Sequence, residues 1–407
     1  MKKLFWIFIA SPVLFSARIW AQETVKDTVF LIPFADTVLL DEVVVKAHKT
    51  IPMNNRWSDL QPVDLVTVAG ANGNLYKALE TLPGTQIQGE SGRLLVRGGS
   101  SDETQTYIDG MHVLNPYTST AENIPARGRY SPFMFSGINL STGGHSQEYG
   151  EALSAVLPLE TKDNSRINKV GISPSTVGIG GGGNHAFRNA SLALNLDYQN
   201  LALYNKVYPG RIDFKKPYQV FSGATQFRYT PSGSSVFKIY VGYDRTDYSN
   251  YTDNNRYLFC LGENNVYLNS TFRTAISGGW EWFSGMAYSL FDRKVDGAVT
   301  EGDHWCEKQA ELHFKTKLSK KFHPTFRMDV GFESFLRWYE TRYSQVSVAD
   351  TKEISPTIEA VFGTVSYYPV ENLKAELSFR TEYASLARKI NFSPRLSFSY
   401  SWCDLVL

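Results

Sequence analysis

Cysteine is scarce in this chain: Cys260, Cys306 and Cys403 are the only three in 407 residues. An odd, widely spaced set makes no disulfide framework, and no Cys-x-x-Cys or paired Cys/His spacing offers a zinc site. Excess charge is also missing. With 41 Lys and Arg against 40 Asp and Glu, the net charge is +1, which argues against a basic nucleic-acid surface or an acidic tail. Long apolar runs are missing beyond the N-terminus, where the run Leu4–Phe15 is too short for a bilayer-spanning helix of about 20 residues. No Gly-x-Ser-x-Gly, His-Glu-x-x-His, phosphate loop or Cys/His nucleophile pair occurs. His48, His112, His145, His185, His304, His313 and His323 stand at no metal-ligand spacing. These absences point to a protein that is not an enzyme and needs no metal or cofactor.

Aromatic residues are plentiful at 14%, although mean hydropathy is −0.26. Aromatic richness without long apolar runs fits strands with one apolar and one wet face. At the N-terminus, Lys2 and Lys3 precede the apolar run, and Ala21 stands before Gln22. That is the pattern of a secretory signal peptide over residues 1–21, and it predicts export from the cytoplasm.

The chain changes character near residue 165. Beyond it, apolar and polar residues alternate. Phe237, Ile239, Val241 and Tyr243 interleave with Lys238, Tyr240, Gly242 and Asp244. Ala310, Leu312, Phe314 and Leu318 interleave with Gln309, Glu311, His313, Lys315 and Lys317. The same holds for Phe326, Met328, Val330 and Phe332, and for Leu373, Ala375, Leu377 and Phe379. A period of two places each set on one face of a strand. Turn signals at Pro231–Gly233, Gly278-Gly279, Lys320–Pro324 and Pro369–Asn372 separate the runs. About eleven hairpin-ordered strands are predicted between Lys169 and Trp402. Trp280, Trp282, Trp338, Tyr339, Tyr367 and Tyr368 gather near strand ends, where a membrane barrel carries its aromatic girdles. A soluble β-sandwich also alternates. The heavily charged polar face favours the barrel, with a wet lumen inside.

Before residue 163 the chain reads as a small α+β domain. Leu75, Leu79 and Leu82 share a helical face that Pro83-Gly84 ends. A strand over Gly92–Arg97 is followed by Gly98-Gly99, then by Thr104–Ile108, the tight turn Asp109-Gly110 and Met111–Leu114. These segments resemble, in order, the plug domain of TonB-dependent outer-membrane receptors, through Asn74–Gly84, Leu94–Gly99 and Tyr107–Gly110. Ile138–Thr142, Gly143-Gly144, Glu148–Gly150 and Ala155–Lys162 resemble the family's closing segment. Two departures stand out: Gly143-Gly144 replaces a usual Gly-Pro, and Ala155–Pro158 replaces a Gly-Val-Ile-Asn stretch. Arg93, Arg97, Gly98, Tyr107, Asp109 and Gly110 carry the plug motif. The resemblance implies a plug inside a 22-stranded barrel, outer-membrane location in a Gram-negative cell, and active import of a scarce ligand such as an iron–siderophore, cobalamin or oligosaccharide.

Upstream, Asp41, Glu42, Val43, Val44, Val45, Lys46 and Ala47 resemble the family's energy-coupling box. Three consecutive valines favour an extended strand, and an exposed strand can add to a partner's sheet. The resemblance implies that the partner is periplasmic TonB with its inner-membrane energising complex. An ordinary first plug strand is the plainer reading of the same residues. The box follows the expected cleavage site by about twenty residues, which leaves no room for the extra N-terminal domain of some relatives. The expected domains are the signal peptide, a periplasmic segment over 22–50, a plug over 51–162 and a partial barrel over 163–407.

Arg93, Arg97, Arg127 and Arg129 are candidates for a plug–barrel ion network, with Glu311, Asp329, Glu333, Glu376 and Glu382 as partners. Such wet pairs contribute about 0–1 kcal/mol each. Asn115–Tyr117 and Tyr130–Phe135 read as plug loops that touch ligand if they face outward. About 240 residues after the plug supply about 11 per strand if shared among 22, with nothing left for long outer loops. Half a barrel is therefore expected, and with it a chain that does not transport alone. The missing half, a non-transporting adhesin or sensor, a remnant of a broken receptor gene, and a soluble secreted enzyme remain open at this point.

Overall fold

A computed structural model of the protein describes residues 57–60, 62–71, 73–87, 91–121, 124–162, 168–208, 213–251, 257–345, 348–370 and 373–400. The expected signal peptide, the coupling box and Cys403 lie outside the described residues. Among these residues no helix is long and apolar enough to cross a membrane.

The first domain contains β1 (Trp57–Leu60), α1 (Pro62–Thr67), α2 (Leu75–Leu79), β2 (Thr85–Ile87), β3 (Leu94–Val96), β4 (Thr104–Ile108), β5 (Met111–His112), β6 (Phe135–Ser141) and β7 (Ala155–Thr161). Its main sheet runs β1-β6-β7-β4-β5, with β4 and β7 parallel. The Asn74 side chain caps α2 by accepting from the Tyr76 N–H at 3.2 Å, and it also accepts from the Gly128 N–H at 3.0 Å. One side chain thus starts the helix and pins a distant loop to it. The helix buries Tyr76 and Ala78 as well as Leu75 and Leu79, more than the single leucine face predicted. The Tyr76 hydroxyl meets Thr106 Oγ1 at 2.9 Å, which makes that burial tolerable.

The rest is one antiparallel sheet of thirteen strands. They are β8 (Lys169–Ser175), β9 (Gly178–Ala186), β10 (Ala190–Asn200), β11 (Phe214–Ser232), β12 (Ser235–Tyr251), β13 (Leu258–Ile276), β14 (Trp280–Asp296), β15 (His304–His323), β16 (Phe326–Gln345), β17 (Val348–Ile354), β18 (Thr357–Val370), β19 (Leu373–Ala384) and β20 (Lys389–Tyr400). A short helix, α3 (Ala202–Val207), lies between β10 and β11. The order is sequential from β8 to β20, except that β17 folds back on β16 alone. The sheet does not close: β8 and β20 are its edges.

Thirteen strands exceed the expected eleven. Two causes are physical. Gly180–Gly183 have no side chains to alternate, and β17 pairs only with the end of β16 from Tyr339 to Gln345. Several strands run to 19 or 20 residues, about twice the roughly 9–11 that a membrane crossing needs.

The alternation holds, and it is turned inside out relative to a soluble protein. Leu377 is 56% exposed while its neighbours Ser378 and Arg380 are 0% and 4% exposed. Along β10, Leu192, Leu194, Leu196 and Tyr198 face outward. The polar face is buried because the plug lies against it. Of the six expected girdle aromatics, Trp280, Trp282, Trp338 and Tyr367 share the outward face. Tyr339 and Tyr368 have the parity of the lumen residues Arg337 and Ser366, so they face inward. That corrects the reading of those two.

Candidate functional site: the plug seated against the sheet

The plug is held along two stretches of the wall. Against β11–β13 the contacts are mainly neutral. Asn269 Nδ2 donates to the Ile108 carbonyl at 2.9 Å, and the Tyr267 hydroxyl donates to the Met111 carbonyl at 3.2 Å. The Tyr218 and Tyr248 hydroxyls donate to the Ser119 and Thr120 carbonyls at 3.0 and 2.8 Å. Gln226 Nε2 donates to the Lys162 carbonyl at 2.8 Å. Wall side chains thus satisfy plug backbone acceptors, as a buried interface requires. Between them Tyr130 and Phe135 of the plug pack on Tyr240, and Tyr130 also packs on Tyr267. Tyr117, Tyr130 and Phe135 are buried, so these three do not face outward, whereas Phe133 between the last two is exposed. Two ion pairs cross here: Arg129 Nε donates to Asp244 Oδ2 at 2.7 Å, with both side chains almost wholly buried, and Lys238 of β12 pairs with Asp109 at 3.2 Å.

Against β15–β19 the contacts are charged. Glu148 of the plug accepts from Lys315 at 3.1 Å and Lys317 at 2.7 Å. Glu151 pairs with Arg337 at 2.5 Å, and Arg337 also holds Glu311 at 2.6 Å. His112, at the end of the β4–β5 hairpin, sets Nδ1 2.6 Å from Glu311 and Nε2 2.7 Å from Gln105 Oε1. The His112 backbone N–H donates to His313 Nδ1 at 3.0 Å. His313 therefore carries its proton on Nε2, which donates to Glu333 at 2.9 Å. Glu333 also accepts from Arg380 at 2.8 Å and lies 3.8 Å from Lys315. Burial opposes the charge of Glu148, but Lys315 and Lys317 outweigh it and hold its carboxyl well below the usual range. His145 is buried near Arg395, and its pKa is pushed down to about 4.

The turn between β4 and β5 seats on β12 and β14. Asp109, at φ +50, accepts from the Thr161 N–H and Oγ1 at 3.0 and 2.5 Å and pairs with Lys238 at 3.2 Å. Gly110, at φ +84, sits so close to the wall that a Cβ would meet Phe283 at 3.4 Å. Tyr107 is fully buried. Its hydroxyl donates to the Gly150 carbonyl at 3.3 Å, and its ring meets Tyr149 edge-on at 4.8 Å.

The other predicted residues serve the plug itself. Arg93 stacks over Tyr117 at 5.5 Å and lies 3.7 Å from Asp102. Arg97 is exposed, at φ +53, with its N–H on the Gly84 carbonyl at 2.8 Å; among the described residues it makes no ion pair. Gly98 follows at φ +78. Arg127 feels the charge of Asp197 on β10. Of the four arginines proposed for the network, Arg129 makes an ion pair across to the wall, and its partner is Asp244 rather than any of the five acids expected. Asp329, Glu376 and Glu382 pair with Arg327, Lys374 and Arg380 on their own strands. The polarity is mostly the reverse of expectation: plug acids Glu148, Glu151 and Asp109 meet wall cations. The wall half of this pattern was visible as Glu311, His313, Lys315 and Lys317 on alternate positions. Nothing in a single chain's spacing says which plug residues face them. Among the described residues no group of His, Cys, Asp and Glu is arranged to hold a metal ion.

An open antiparallel sheet with an apolar outside, wrapped on a polar-seated α+β plug, is the fold of a plugged outer-membrane barrel. Residues 65–156 match the family model of the TonB-dependent Receptor Plug Domain. The outer membrane transporter YddB from Escherichia coli superposes with a TM-score of 0.66 at 12% identity, over 85% of this chain and 59% of that one. The siderophore receptor PirA from Acinetobacter baumannii gives 0.65 at 12%, over 89% and 61%. The copper transporter OprC gives 0.62 at 11%, over 82% and 58%. The chain spans about three-fifths of the length of these solved structures. No curated protein matches it. Residues 65–156 are thus a TonB-dependent receptor plug domain, and the chain has the fold of the plugged outer-membrane transporters.

Proposed function

We propose that this receptor imports a scarce ligand across the outer membrane, driven by TonB. The observation that carries the reading is the plug's seat. Apart from an aromatic patch around Tyr240 and Tyr267 it is polar, so water can replace most partners as the plug shifts, and it is buried enough to stay shut otherwise. A bond-making site would need a nucleophile or base poised at a cavity, and the seat's charges are spent on each other. Siderophore, cobalamin and oligosaccharide all remain candidate ligands.

In this reading Asp41–Ala47 is the segment that TonB captures as an added strand, and the chain is exported by its first 21 residues. The sheet requires further strands to close it, because unpaired backbone groups at β8 and β20 cost several kcal/mol each in hydrocarbon. Until closed, the chain does not transport. A sensor or adhesin would keep the same fold without needing TonB.

The test is binding of the full chain, purified from outer membranes in detergent, to the C-terminal domain of TonB. Val44→Pro removes a backbone donor from the captured strand, and affinity is expected to fall at least tenfold. Equal binding by the wild type and Val44→Pro, or none by either, overturns TonB-driven import.

A further inference from the structure

The outward face of β14, β15 and β16 changes character sharply toward one end. Its rows run Trp282-Leu318-Val330, Ser284-Thr316-Phe332, Met286-Phe314-Ser334, Tyr288-Leu312-Leu336 and Leu290-Ala310-Trp338. From Trp280 to Leu290 is about 34 Å along the strand at 3.4 Å per residue. With a tilt of about 40° this gives roughly 26 Å, close to the height of a barrel's apolar band. The next two rows are Asp292-Lys308-Glu340 and Lys294-Cys306-Arg342. Arg293, between Asp292 and Lys294, points the other way and binds Glu263 at 2.9 Å, which fixes the two charged rows on the outside.

A hollow of about 210 Å³ lies there, lined by Lys294, Cys306, Lys308, Glu340 and Arg342. Arg342 pairs with Glu340. Lys294 and Lys308 are exposed and have no ion-pair partner among the described residues, although Asp292 stands in register with Lys308. Three cations against one lining carboxylate leave the hollow positive. It opens sideways at the edge of the apolar band, at the end of the sheet that carries its longer connections, residues 201–213, 252–257 and 297–303. The other end has short turns such as 233–234 and 324–325. In outer-membrane barrels the longer connections are extracellular.

We propose that Lys294, Lys308 and Arg342 bind the phosphorylated head group of an anionic lipid in the outer leaflet. The acyl chains lie along Leu290, Tyr288, Leu312 and Trp338 below. A free phosphate would have no use for that apolar track, whereas a lipid requires both parts at this spacing. The inference rests on the membrane-barrel reading above.

The test uses the full chain isolated from outer membranes in detergent, titrated with bis-phosphorylated lipid A and followed by native mass spectrometry. Lys294→Ala/Lys308→Ala is expected to weaken binding at least tenfold. Lys320→Ala, at the opposite end of the band, is expected to leave it unchanged. Dephosphorylated lipid A is expected to bind at least tenfold more weakly, and millimolar inorganic phosphate not to displace the lipid. Equal binding by the double variant, equal binding of the dephosphorylated lipid, or full displacement by inorganic phosphate overturns the site. Absence of the chain from the outer-membrane fraction overturns the membrane reading itself, so the two failures are told apart.

Discussion

The two stretches of wall that hold the plug differ in kind. Against β11–β13 the plug rests mainly on tyrosine, asparagine and glutamine side chains that donate to its backbone carbonyls, with two ion pairs, Arg129–Asp244 and Asp109–Lys238. Against β15–β19 it rests on a lattice of Glu148, Glu151, Glu311 and Glu333 with Lys315, Lys317, Arg337 and Arg380. Neutral contacts are individually modest and indifferent to pH. Buried charges are costly to separate and depend on each other, because removing one partner strands the rest. On the import reading proposed above, the first stretch slides and the second locks.

Breaking the lock should have the largest effect. Lys315 is wholly buried and lies between Glu148 and Glu333, so Lys315→Met takes the shared cation from two buried carboxylates and leaves Glu148 to Lys317 and Glu333 to Arg380. Plug seating should weaken by about 3–5 kcal/mol. Hydrogen exchange is expected to rise over residues 146–151 while the backbone near Met111 stays protected. Uniform exchange across both stretches would mean that they act as one unit.

Acid should act next. The ring of His145 ionises at about 4 in the seated plug, against 6.5 when free. A depressed value means that its contribution is complete above about pH 6.5 and is lost progressively as pH falls toward 4, up to about 3 kcal/mol. Glu148 works in the same direction lower down, losing its contribution below the ordinary carboxylate range. Protease sensitivity of the plug should rise between pH 6.5 and 4 in the wild type, with a flatter profile in His145→Gln. Identical profiles would remove His145 as the cause.

The smallest effect belongs to the neutral stretch. Tyr267→Phe removes the donor to the Met111 carbonyl and should cost about 1 kcal/mol. The loss should be the same at pH 5 and pH 8 in denaturant titrations. A pH-dependent loss would show that the two stretches share charge after all.

Much of this was legible in the sequence for a physical reason. A wall with lipid on one side and polar plug on the other must alternate, so Leu373–Phe379 and Ala310–Leu318 announced both faces. The plug was legible through its turns: Asp109-Gly110 and Pro83-Gly84 restrict the backbone whatever surrounds them. Strands without that pressure escaped notice. Gly180–Gly183 carry no side chains, and β17 stands clear of both plug and membrane band, exposed along its whole length. The partners across the seat were not legible either. His112 and Glu311 are 199 residues apart, and only the seating of the plug against the sheet brings them to 2.6 Å.

The inverted sheet has a consequence for anyone who handles the protein. Residues that look like free surface, Leu194, Val361, Leu377 and Phe398 among them, carry the load a core carries elsewhere. Replacing them with lysine or glutamate to improve solubility would act on the membrane-embedded protein as a core substitution acts on a cytosolic one. The tolerant positions for tags, labels and cross-linkers lie instead on the strand extensions above the band and on the connections between them.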